Sequence, residues 1–198
     1  MVTGTLEVNY KDQHGQADRG TIDIPIDLLA AGTTPPAPVT VAPFDGYAYS
    51  VGDDSIFTFR VPDDWFQYTD INDSFDLYIR WACNENYAAN NGEVRWSATF
   101  TVMRLDDEAL PNGTVVTVST EDIAIPVTAR QMTETVIGNT EITQGASLDR
   151  HYLHVDATVG VTLSRVVAED AAAPVQEPEI YACWIRYTRF KNWGRSIQ

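Results

Sequence analysis

The feature that most constrains the fold is a strict alternation of apolar and polar residues with a period of two. The clearest examples are FDLYIRWAC (Phe75–Cys83) and EVRWSATFTVM (Glu93–Met103). Successive side chains of a β-strand point to opposite faces, so the pattern gives each segment one apolar and one polar face. Both segments are therefore predicted to be strands that bury one face.

These two segments are predicted to pair with each other as an antiparallel hairpin. The intervening residues 84–92, NENYAANNG, are rich in Asn and Gly, which is typical of a surface loop. Folding the chain about this loop places Trp81 beside Trp96 and Leu77 beside Phe100, so both apolar faces coincide. Registers shifted by two residues satisfy the same condition.

Further strand-like segments run along the whole chain, whereas helix signals are scarce. About ten short strands in one domain favour an all-β fold, specifically a single antiparallel β-sandwich with jelly-roll-like connections. The sandwich is predicted to span residues 1–190. The other predicted strands are TGTLEVNY, TIDIPI, YAYSV, SIFTFRV, TVVTVS, DIAIPVT, TETVIG, TVGVTLSRVV and EIYACWIRYTR.

Two segments depart from this alternation. Residues 30–44, AAGTTPPAPVTVAPF, contain four prolines and are predicted to form an extended arm within the domain. Residues 191–198 are predicted to form a basic, aromatic tail. The strand before this tail is apolar on both faces through Ile185, which is typical of a strand that is central in a sheet or lies under a neighbouring element. On simple alternation, Ile180, Ala182 and Trp184 share one of these faces.

Charge is distributed unevenly along the 198 residues. Residues 1–179 hold 28 acids and nine bases, a net charge of −19, and the remainder adds four bases and no acid. An acidic body repels phosphates and anionic lipids, so no nucleic-acid or membrane partner is expected. A basic end on such a body favours contact with an acidic neighbour or an identical copy.

The sequence gives no sign of secretion, and its two cysteines are far apart. The first residues, MVTGTLEVNY, lack the basic and apolar regions of a signal peptide, so synthesis in a cytoplasm is expected. Cys83 and Cys183 each lie in an apolar strand and are predicted to be buried, reduced thiols. A bridge between neighbouring strands is the alternative.

No motif indicates catalysis, a metal or a cofactor. His151 and His154 are three apart with no further ligand pattern, and the acids from Asp70 to Asp73 lack the glycine turn of a calcium loop. Nucleophile and phosphate-binding signatures are absent from the sequence. The chain is therefore predicted to be a non-enzyme without cofactors.

Two groups of residues are predicted to make contacts. Aromatic rings near amides and carboxylates are typical of sugar platforms, which selects Trp65, Tyr68 and Tyr87 as glycan contacts. Trp and Arg are enriched at protein interfaces, which selects the C-terminal residues for self-association or capsid contact. These residues are Arg186, Arg189, Phe190, Lys191, Trp193 and Arg195.

The order of motifs also resembles a known class of proteins. FRVPDDW (Phe59–Trp65), GEVRW (Gly92–Trp96), TLSRVV (Thr162–Val167) and the closing EIYACWIRYTR (Glu179–Arg189) resemble β-sandwich virion proteins of tailed bacteriophages. The resemblance covers roughly residues 50–190 as a pattern of strands, and it transfers no functional residue. It implies a head-decoration, head-fibre or appendage protein that forms symmetric, often trimeric, assemblies on a particle.

The expected function is therefore that of a non-enzymatic virion protein. It would assemble with identical copies or with a capsid or tail protein, after synthesis in a host cytoplasm. The alternative is a carbohydrate-binding β-sandwich module, for example one that binds a glycan of the host surface.

Overall fold

The computed structural model describes residues 17–63, 76–103, 114–137, 157–169 and 172–190. A 3-10 helix spans Ile26–Ala30, and a single helical turn, α1, spans Tyr87–Asn90. No helix in these ranges is long and apolar enough to cross a lipid bilayer. The strands are β1 Ala17–Ile24, β2 Ala37–Val41, β3 Phe44–Ala48, β4 Asp54–Arg60, β5 Asp76–Cys83, β6 Glu93–Met103, β7 Thr114–Ser119, β8 Ile123–Ala124, β9 Thr133–Ile137, β10 Thr158–Val166 and β11 Pro178–Phe190.

The strands form two antiparallel sheets that pack face to face. Sheet 1 has the order β2-β3-β11-β5-β9, with β1 also paired to β11. Sheet 2 has the order β4-β10-β6-β7, with β8 also paired to β6. The pairs β3–β11, β4–β10, β5–β9 and β6–β7 are nested in the chain, which is the connectivity of a jelly roll. The predicted all-β, jelly-roll-like sandwich is confirmed.

The predicted hairpin between β5 and β6 is wrong, although both strands are correct. β5 belongs to sheet 1 and β6 to sheet 2, so their apolar faces oppose each other across the core. Trp81 of β5 and Trp96 of β6 meet edge to face there, with ring centroids 6.0 Å apart. Alternation determines which face of a strand is buried. It does not determine whether the matching face lies beside it or opposite it.

Strand β11 is the centre of sheet 1, as its two apolar faces predicted. Ile185 lies opposite Leu77 of β5 on one side and opposite Ile22 of β1 on the other. Its side chain has no exposed surface. A strand covered on both edges and one face can carry apolar residues without exposing them.

The proline-rich segment is extended where β2 lies, but it is built into the sheet rather than free. Strand β2 pairs along its whole length with β3 and forms one edge of sheet 1. Before it, the backbone N–H groups of Thr33 and Thr34 donate hydrogen bonds of 3.0 and 2.6 Å to the carboxylate of Asp54. The predicted tail, residues 191–198, lies outside the described residues.

The two cysteines are free, buried thiols, as predicted. Cys83 lies opposite Pro178 of β11, whereas Cys183 is five positions further along that strand. This offset corresponds to about 16 Å at roughly 3.3 Å per residue, too far for a disulfide. The Cys83 thiol donates a 3.3 Å hydrogen bond to the carbonyl oxygen of Gln176, and burial raises its pKa to about 11.

We expect this buried thiol to make the fold sensitive to alkaline pH. The pKa of Cys83 is higher in the folded chain than in the unfolded chain, where it is about 8.5, so the folded state retains the proton longer. Its contribution to stability is full below about pH 8.5 and is lost as pH rises toward 11. Urea unfolding of the parent and Cys83→Ala chains over this range should show a decline that is smaller in the variant, by roughly 2 kcal/mol. Equal declines in the two chains would contradict this assignment.

Candidate binding face on sheet 1

The outer face of sheet 1 carries aromatic and arginine side chains where a solvent-exposed sheet usually carries small polar ones. Trp184 of β11 lies directly opposite Tyr78 of β5. Both are half-buried, and both point away from the core residues Ile79 and Ile185 that alternate with them. Register places four outward residues in one row across the sheet: Asp23, Trp184, Tyr78 and Val136.

The two rings of this row stack on each other. The Tyr78 and Trp184 rings are nearly parallel, with an interplanar angle of 12° and centroids 5.4 Å apart. Offset-stacked aromatic pairs stabilise a fold by about 0.5–1.5 kcal/mol beyond the area they bury. The stacking therefore fixes both rings in place on the outer surface.

Two arginines lie over these rings, one on each. The guanidinium carbon of Arg186 is 4.2 Å from the centroid of the Tyr78 ring. That of Arg80 is 5.1 Å from the centroid of the Trp184 ring. Both distances are within the range of a cation–π contact. Arg80 also forms an ion pair with Glu134 of β9 at 3.0 Å, so its planar group is held on two sides.

The aromatic surface continues toward β3. Tyr181 and Phe44 meet edge to face, with centroids 6.4 Å apart, and 57% of Phe44 is exposed. Gly46 allows this contact, because a Cβ atom there would lie 2.8 Å from the Tyr181 ring and 2.5 Å from the Ile180 carbonyl oxygen. Burial, and next a hydrogen bond to Glu179, raise the pKa of the Tyr181 hydroxyl well above its usual value.

We refer to this surface as the aromatic face. It consists of residues on β3, β5 and β11: Phe44, Tyr78, Arg80, Tyr181, Trp184 and Arg186. Of these residues, Arg186 alone was predicted from the sequence to make contacts.

The aromatic face exists because β11 contains a β-bulge. The pairing of β11 with β5 shifts between Ile180 and Ala182, so that Ile180 points into the core while Ala182 and Trp184 point outward. Simple alternation predicts that these three residues share one face, and that prediction is wrong. A bulge adds one residue to a strand and reverses the alternation beyond it. One pattern in the sequence could have indicated this face: Tyr78 and Arg80 alternate with apolar residues in β5, which predicts that both point outward.

The outer face of sheet 2 is chemically different. Its outward rows are dominated by hydroxyl side chains, which bond to each other: Thr99 to Thr117 at 2.9 Å, and Ser119 to Ser97 at 3.1 Å. Sheet 2 also carries the outward arginines Arg60 and Arg95, but among the described strand residues outward aromatic side chains are found on sheet 1 and not on sheet 2. This inequality makes sheet 1 the better candidate for a binding face.

The remaining predicted contact residues are only partly described. Arg189 and Phe190 lie at the end of β11, where they pair with Asp18 and Ala17 of β1. Tyr87 lies in α1, just after the end of β5 at Cys83, and is partly buried against the core. The other predicted glycan and tail residues lie outside the described residues: Trp65, Tyr68, Lys191, Trp193 and Arg195.

Metal ligation is not apparent in the part of the chain that is described. No group of three or more His, Cys, Asp or Glu residues there lies close enough to hold a metal ion. The candidates considered from sequence, His151, His154 and the acids from Asp70 to Asp73, lie outside these residues.

Comparisons with known proteins identify no family for this chain. No protein-family model and no curated protein matches the chain. Among solved structures, it is similar to the CBM36-1 domain of a multidomain xylanase from the hindgut metagenome of Trinervitermes trinervoides. That match has 16% sequence identity and a TM-score of 0.42, and it covers 85% of this chain and 96% of that one.

The stacked pair should be detectable as an energetic coupling. Tyr78→Ala and Trp184→Ala, measured singly and together by urea unfolding, should be non-additive by about 0.5–1.5 kcal/mol, because either substitution removes the same ring contact. As a control, Tyr78→Ala combined with Thr117→Ala, on the opposite sheet, should be additive within about 0.5 kcal/mol. Additive effects of the Tyr78 and Trp184 substitutions would show that the rings do not stabilise each other.

Proposed function

We propose that this chain is a non-catalytic assembly protein whose aromatic face binds a second copy of the same chain. The observation that best supports this proposal is the stacked Tyr78–Trp184 pair on the outside of the sheet. Arg186 and Arg80 lie over its two rings. The resemblance to phage virion proteins suggests the setting, a decoration or appendage component of a virus particle. A neighbouring capsid or tail protein would then be a further partner.

The chemistry of the aromatic face supports protein binding. Tyr, Trp and Arg are the residues most often found at interface hot spots, where they combine a large apolar area with a polar group. Stacking and ion pairing already restrict Tyr78, Trp184 and Arg80, so little conformational entropy remains to be lost on binding. An arginine can also form planar, bidentate contacts with carboxylates.

Charge supports the same partner. Residues 1–179 carry a net charge of −19, so any copy of this chain offers many carboxylates. Arg80 and Arg186 can meet such groups across an interface, and complementary charges orient the partners as they approach. Beyond Arg186, β11 leads directly to residues 191–198, which hold two more bases and a tryptophan. In sequence, the predicted tail contacts thus follow a few residues after Arg186 of the aromatic face.

Carbohydrate binding is the second candidate, and one observation favours it. Aromatic rings on the outside of a β-sandwich, near Asp23 and Glu134, are the groups that a sugar platform requires. However, the Tyr78 and Trp184 rings contact each other and a guanidinium each, so less of their surface is open for a sugar ring. Protein binding is therefore the better supported function.

The assembly function is tested by solution mass. In light scattering, the full chain should form a defined oligomer, and the double variant Trp184→Ala/Arg186→Ala should dissociate at concentrations at least about tenfold higher, because hot-spot truncations typically cost 2 kcal/mol or more. The matched control is Thr99→Ala/Thr117→Ala on the outer face of sheet 2, which should retain the parent mass.

Two results would contradict self-association through this face. One is a monomer for all three chains, and the other is an oligomer of equal stability in the aromatic-face variant. If the monomeric parent binds immobilised glycans and Trp184→Ala abolishes this binding, the second candidate replaces the first.

A further inference from the structure

A buried arginine lies near the end of the sandwich where β5 finishes at Cys83. Arg165 of β10 is only 4% exposed and points into the core, opposite Trp96 of β6. A buried cation is costly unless a counter-charge and hydrogen bonds accompany it. Burial lowers the pKa of Arg165, which reflects this cost.

The hydrogen bonds of Arg165 are incomplete. Its Nη1 donates to the carbonyl oxygen of Tyr49 at 2.8 Å. Its Nε is buried and has no acceptor among the described residues.

No neighbouring acid closes an ion pair with Arg165 in the described part of the chain. Asp53 and Glu177 attract it electrostatically. However, Asp53 accepts a 2.8 Å hydrogen bond from the Ser50 backbone N–H, and Glu177 is bonded to the Ser50 hydroxyl. The nearby Cys83 thiol, with its raised pKa, is uncharged at neutral pH and cannot balance the arginine.

Trp96, the residue of β6 that pairs directly with Arg165, carries a second donor without a partner in the described part of the chain. Its side chain has no exposed surface, and its indole Nε1 has no acceptor among the described residues. The other buried tryptophan of the core, Trp81, donates its Nε1 to the Thr135 hydroxyl at 2.9 Å. Most buried polar groups in folded proteins have such a partner.

We propose that Arg165 Nε and Trp96 Nε1 together bind one small monovalent anion, such as chloride. The two donors belong to directly paired residues on one inward face, and one of them carries a positive charge. A water molecule would satisfy the hydrogen bonds without placing a counter-charge in contact with the guanidinium group, whereas an anion would do both.

The anion would stabilise the junction between the two sheets. Arg165 also fixes the connection from β3 to β4 through its backbone, since its carbonyl accepts from Gly52 at 2.9 Å and its N–H donates to Asp53 at 3.2 Å. With the bond to Tyr49, a single residue thus holds the strand of sheet 2 against the loop that leaves sheet 1. An anion that restrains the Arg165 side chain restrains this junction as well.

The proposal is tested by thermal unfolding of the full chain in sodium chloride and in sodium gluconate at equal ionic strength. Chloride should raise the midpoint in a saturable manner by a few degrees, as expected for a ligand bound only by the folded state. Trp96→Phe, which removes one donor, should lose most of this dependence. The matched control Trp81→Phe removes an indole N–H that already has a protein acceptor, and it should retain the dependence.

Equal midpoints in the two salts would overturn the proposal, as would full chloride dependence in Trp96→Phe. If that variant does not fold, Arg165→Met serves in its place and should abolish the dependence. In crystals grown with sodium bromide, an anomalous peak within contact of both nitrogen atoms supports the site, and its absence refutes it.

Discussion

Sheet 1 depends on the two-sided pairing of β11. Thirteen residues long, this strand pairs with β5 along one edge and with β3 and then β1 along the other. Buried residues on its inner face, such as Ile180 and Ile185, close the core from this side. Backbone groups satisfied on both edges allow these side chains to leave water without orphaned N–H or C=O groups. The same strand then presents Trp184 and Arg186 on the opposite side, so core and candidate binding face share one backbone.

The class of fold was predictable from local patterns. Alternation in FDLYIRWAC and EVRWSATFTVM identifies β5 and β6, because a period of two is a property of each strand by itself. Pairing partners depend on residues far apart in the chain, and the hairpin prediction failed for this reason. Trp81 and Trp96 do meet, but across the core, where sheet packing rather than strand pairing brings them together.

The candidate binding face was less predictable. Trp184 was grouped with Ile180 by simple alternation, and nothing in EIYACWIRYTR reveals that Tyr181 is an added residue. The cause of the bulge is tertiary: Ile180 and Cys183 both point into the core, which a regular strand does not allow for residues three apart. Alternation in TLSRVV places Arg165 on the same face as Leu163, but the burial of a charge there depends on what the opposite sheet provides, which the local pattern does not contain.

The bulge at Tyr181 shifts the alternation of inward and outward residues in β11 by one position. Before it, even-numbered residues belong to the interior, and after it they belong to the surface. If Tyr181 were kept and the bulge flattened, regular alternation from Ile180 would turn Trp184 and Arg186 inward and Cys183 and Ile185 outward, with every other strand unchanged in sequence. Deletion of Tyr181 would instead set Ala182 directly after Ile180 in a regular strand, and both faces of β11 would keep their residues.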